Sequence, residues 1–70
     1  MNDRQYQKLH RAQAQHFGAI DTLRHLRQMV EHHYLKPETL TAIKGAIEIA
    51  ERDLIKTQRR LEKIERRWLR

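Results

Sequence analysis

Cysteine is absent from this chain of 70 residues, which excludes disulfides and thiolate zinc sites. Serine is absent too, and neither a glycine-rich phosphate loop nor an HExxH helix occurs. Glycine and proline together number three, and strand formers in period-two alternation are missing, so the composition points to long helices. No apolar run approaches the length of a membrane span. The opening "MNDRQYQKLHRAQ" has no apolar core of the signal-peptide kind, so the chain is expected in the cytoplasm.

What is present is charge. Fifteen Lys and Arg stand against nine Asp and Glu, for a net charge of +6. Mean hydropathy is −0.95, low enough that disorder competes with folding unless a strong apolar pattern opposes it. The second half supplies that pattern. Leu40, Ile43, Ile47, Ala50, Leu54, Thr57, Leu61, Ile64 and Trp68 follow one another in steps of three and four. This is a heptad seam of four repeats, interrupted only by Thr57.

Pro37, the single proline, lies in "YLKPETL". A proline fits the first turn of a helix, and the residue before it is pushed out of helical geometry. The expected organisation is one domain over 1–70, with a helix over about 3–35, a turn near 35–37 and a helix over about 37–69. Leu9, Ala12, Ile20, Leu23, Val30 and Tyr34 share one face of the first arm, with His16 and Arg27 within it and Ala19 and Leu26 on its flank. The arms are of equal length, roughly 50 Å each. Their short link predicts an all-α antiparallel two-helix hairpin, with His16 opposite Thr57 as a polar layer that helps fix register.

One hairpin buries one face of each helix, while ordering a residue costs about 1.5 kcal/mol. A chain this short needs a staple, and self-association is the one left. Phe17, Met29, Ala46 and Ile49 lie outside the main seams, and with Leu26 and Val30 they are the candidate dimer or target contacts. They predict a homodimer, most simply a four-helix bundle, or a docking surface for another protein.

The charge is unevenly placed. Residues 12–55 carry five basic and six acidic side chains, residues 1–11 carry +2 and residues 56–70 carry +5. Antiparallel arms collect this excess at the open end, away from the turn. Arg59, Lys63, Arg66 and Arg70 form a row on the second arm, flanked by Lys56, Arg60 and Arg67, and Glu62 can pair with Arg66 at i,i+4. Arg59, Lys63, Arg66, Arg67 and Arg70 are therefore the candidates for an anionic partner. Three readings compete: a solvated face, a contact for an acidic protein surface, and a nonspecific contact for nucleic-acid phosphates. A membrane role is disfavoured, because the face opposite this row is committed to the first arm.

No catalytic residue, metal ligand set or cofactor is expected. The five histidines include no i,i+4 pair of the kind that binds zinc on a helix. The carboxylates sit among basic neighbours on helix surfaces, and a two-helix hairpin has little concave volume for a substrate.

Two resemblances follow. "IDTL" at 20–23 with Tyr34, Leu40 and Trp68 is similar to the haemolysin-expression-modulating family, small partners of a nucleoid protein, although that family has several shorter helices. The equal arms about the single "LKPET" turn, without catalytic motifs and with surplus apolar surface, resemble small phage-encoded helical hairpins. Those dimerise and inhibit host regulators, as anti-quorum-sensing and related anti-host proteins do. That resemblance implies a non-enzymatic inhibitor or regulator working as a homodimer in host cytoplasm. The alternative is a basic accessory protein that binds nucleic acid.

Overall fold

Residues 2–68 are described by a computed structural model. They form two helices, α1 (Asp3–His32) and α2 (Pro37–Trp68), and no strand. Lys8 lies over the Trp68 ring, Arg60 reaches Gln15, His16 meets Thr57, and Arg27 meets Glu51. Partners draw closer in sequence toward the turn, as antiparallel arms require. The hairpin is a rod of 51 × 15 × 15 Å.

Helix α1 starts at a capping box. The Asn2 side chain accepts from the Gln5 backbone N–H at 2.8 Å, and the Gln5 side chain accepts from the Asn2 N–H at 3.1 Å. Two of the unpaired donors at the helix start are thus satisfied, and Asp3 adds negative charge in the first turn. The helix ends at His32, three residues before the expected Leu35. His33 is extended (φ −124°, ψ 140°), and no described residue has positive φ. Without a glycine to close the helix in a left-handed cap, the chain reverses through four non-helical residues, 33–36. Tyr34, expected on the first arm's apolar face, falls in this link and is fully exposed. Helix α2 begins at Pro37 as expected, and the Leu40 N–H donates to the Lys36 carbonyl to close its first turn.

The seam of α2 behaves as its heptads predict: all nine positions are buried or half-buried. The seam of α1 differs from expectation. Leu9, Ala12, Ala19 and Leu23 are buried, and His16, Leu26 and Val30 are half-buried. These seven residues follow one another in strict steps of three and four, so α1 carries its own heptad seam. Ala19 and Leu26 belong to the seam, whereas Arg27 is exposed and Ile20 sits beside it. Alanines at 12, 19 and 50 let the helices approach closely.

Across the middle, His16 Nδ1 lies 3.1 Å from Thr57 Oγ1, which itself donates to the Leu54 carbonyl at 3.0 Å. A hydroxyl has one proton, so His16 Nδ1–H is the donor in this pair. The polar layer is therefore satisfied within the hairpin.

Candidate functional site

The core is thin. Six apolar residues are buried, and among the described residues no large side chain is fully enclosed. The chain exposes 6055 Å², whereas a compact monomer of 8.6 kDa exposes about 4700 Å². The surplus, roughly 1350 Å², is of the size that one partner contributes to a large stable interface. Exposed apolar side chains lie within it: Phe17 is 67% exposed and Ile49 66%.

Packing two rods side by side leaves a groove along each flank, and the two grooves differ. The larger, about 1080 Å³, is lined on α1 by Gln15, Gly18, Ala19, Thr22 and Leu26. On α2 it is lined by Ala46, Ile49, Ala50 and Asp53, and then by Lys56, Thr57 and Arg60. The smaller, about 430 Å³, involves Ile20, Leu23, Arg24, Arg27, Gln28, Glu31 and Leu54.

Helical spacing extends the larger groove into a whole face of the rod. On α1 its outer edge runs through Arg4, Lys8, Arg11 and Gln15 and continues through Gly18, Thr22, His25 and Met29, in steps of three and four, with the seam residue Leu26 beside it. On α2 the matching edge runs through Ala42, Ala46, Ile49 and Asp53, then Lys56, Arg60, Lys63 and Arg67. Apart from His25, each edge is mainly small or apolar near the turn and cationic near the open end. Seven cations line the open half, all exposed, and none pairs with a carboxylate among the described residues. Arg60 Nη1 donates to Gln15 Oε1 at 3.4 Å across the groove, and Lys8 Nζ sits 5.9 Å from the Trp68 ring centroid. Asp53 is the one acid of either edge.

The opposite face carries both signs of charge, with acids in excess. Arg27 Nη2 reaches Glu51 Oε1 at 3.4 Å across it, and Arg24 and Glu31 line its groove. Glu62 and Glu65 recur on the Glu51 side at helical spacing. Phe17 projects on this side, seven residues before Arg24. Ile55, seven before Glu62, stands near its level and is 49% exposed. Tyr6, 61% exposed, stacks on His10 with centroids 6.1 Å apart.

The candidate residues therefore separate. Leu26, Ala46 and Ile49 come together on the larger groove, and Met29 extends it. Phe17 lies on the other face, and Val30 is a seam residue. Among the cations, Lys63 and Arg67 join the groove edge. Arg59 and Arg66 stay on the outer surface of α2, where Arg66 pairs with Glu62 at 3.5 Å. Arg70 lies outside the described residues. The sequence gathers Arg4, Lys8, Arg11, Lys56 and Arg60 with these at the open end, but it does not place them on one face. The three-and-four spacing was present in both arms, but which flank of α1 meets which flank of α2 needs the docked pair.

No three His, Cys, Asp or Glu side chains converge among the described residues, and no described helix is long and apolar enough to cross a membrane. No family model, curated protein or solved structure matches this chain.

Proposed function

We propose that this chain is a non-enzymatic protein-binding module that works as a homodimer and regulates or inhibits the protein it binds. The observation that carries this reading is the surface surplus of a rod with a thin core: a second chain is the simplest way to cover it. The face of mixed charge suits self-pairing. Phe17 and Ile55 stand near the middle of the rod, and arginines and glutamates flank them, so a two-fold axis there sets acids against bases. The cationic groove suits self-pairing poorly, because parallel copies would oppose seven cations with seven. It is left for a different partner. Such an arrangement is the mode of action implied by the likeness to small phage-encoded hairpins.

Sedimentation equilibrium tests the dimer. The wild type should sediment as a dimer and Phe17→Glu as a weakened one. A stably folded wild-type monomer at micromolar concentration would overturn the homodimer. The cations support a second reading, an accessory protein on nucleic-acid phosphates. It requires binding to arbitrary duplex DNA that falls steeply between about 50 and 200 mM salt.

A further inference from the structure

We infer that the larger groove is a docking site for one amphipathic helix of a partner protein, acidic along half of its contact stripe and small or apolar along the other half. This rests on the protein-binding reading above and names the chemistry of the partner. Three features of the groove select that occupant.

The first is charge. The open half presents cations from both walls, Arg4, Lys8 and Arg11 facing Lys56, Arg60 and Arg67, without an acid between them. Successive cations on each wall are three or four residues apart, about 4.5–6 Å along the axis. Asp and Glu at i, i+3, i+4 and i+7 of a helix repeat at the same interval. The second is the apolar half. Leu26, Ala46 and Ile49 continue the same channel toward the turn. A nucleic-acid backbone has no apolar counterpart for that half, whereas an amphipathic helix does. The third is access. A Cβ at Gly18 would meet nothing within 4 Å, so the groove is open at its centre, and Ala19, Ala46 and Ala50 keep its floor low. A third helix laid there would complete a three-helix bundle in the usual knobs-into-holes manner. From Arg4 to Met29 the groove runs about 38 Å, the length of roughly 25 helical residues.

Fluorescence anisotropy with labelled synthetic helices of about 25 residues tests this. Two peptides carry a Glu-rich half and a Leu/Ala half on one stripe, in opposite chain directions, and a second pair replaces Glu with Lys. At least one Glu peptide should bind at about 150 mM salt, with the Lys peptides weaker by about tenfold or more. Arg60→Glu with Lys63→Glu should weaken the Glu peptide by at least about tenfold and strengthen the Lys peptide. Ile49→Asp should weaken the Glu peptide, and Arg52→Glu, on the outer surface of α2, should leave it unchanged. The proposal is overturned if neither Glu peptide binds below about 100 µM, if Arg52→Glu weakens binding as much as the groove reversal, or if duplex DNA binds more tightly than any peptide. Sedimentation of the same samples separates the two readings. A dimer that ignores the peptides fails this inference alone, and a monomer that binds them fails only the homodimer.

Discussion

The turn half and the open half of this hairpin share one seam and carry different surfaces. Buried Leu23 and Ile43 in one half correspond to buried Leu9 and Ala12 in the other. Around that common core, the groove edges read Gly18, Thr22 and Met29 near the turn but Arg4, Lys8 and Arg11 near the open end. The difference teaches a division of labour. Seam positions hold the helices together, while the flanking heptad positions are free to specialise, so one half can be sticky and the other charged without a change of fold.

Seam truncations probe this division most severely. Leu23→Ala and Leu9→Ala each remove a side chain that is under a tenth exposed, and each should cost about 2–4 kcal/mol. Urea denaturation followed by circular dichroism measures both. Comparable losses would show that the two halves form one cooperative unit. A large loss at Leu23 with almost none at Leu9 would show that the cationic half adds little to folding, and the comparison would become one of core against appendage.

The polar layer marks the boundary between the halves. Thr57→Val leaves the His16 donor without its partner in a half-buried site, and should cost about 1–2 kcal/mol. The double variant His16→Leu/Thr57→Val should recover most of that loss, because it removes both polar groups together. If the layer fixes register, the double variant should also lose uniqueness, seen as extra amide resonances in a heteronuclear NMR spectrum. A single sharp set would show that the seam alone sets the register.

Much of the fold could be read from the chain, because its signals are local. Pro37 marked the start of α2, and the α2 heptads predicted every seam position. The seam of α1 was misread at two points. Its spacing passes through two alanines and a histidine, so an apolar count preferred Ile20 and Tyr34 over Ala19 and Leu26. The end of α1 was placed late because nothing in "HHYLK" forbids helix; what ends it is the backbone needed to reverse direction before Pro37. The Asn2–Gln5 capping box was legible in principle, since Asn and Gln stand three apart at the start of the apolar pattern. The groove was the least legible feature. Arg4 and Arg60 are far apart in sequence, and only the docking of two seams gives them a common face.

The glycines give a smaller and sharper test of the two surfaces. Gly18 sits on the groove and Gly45 on the outside of α2, and a Cβ at either meets nothing within 4 Å. Either change to alanine should stabilise the hairpin by about 0.5–1 kcal/mol, since both are helix-interior glycines. Thermal melts should therefore rise alike for Gly18→Ala and Gly45→Ala. Bulk separates the positions: Gly18→Leu should block a helix in the groove, and Gly45→Leu should not. Equal binding by both leucine variants would remove the groove centre from the contact.

The smallest expected effect concerns the cations themselves. Seven like charges along one half repel one another, and Lys63→Glu would set an acid between Arg60 and Arg67 on the same edge. Pairing of this kind at exposed positions is worth about 0.3–0.5 kcal/mol, so Lys63→Glu should raise stability slightly at low salt. Because the positions are exposed, the gain should vanish near 1 M salt, where screening acts within about 3 Å. Arg24→Glu on the opposite face should give no gain at low salt, since repulsion from Asp21 at i−3 offsets its attraction to Arg27 at i+3. If both variants responded alike, the charge asymmetry between the faces would have no energetic meaning. If only Lys63→Glu gained stability, the chain maintains its cationic groove against a standing cost, and an anionic partner is what would offset it.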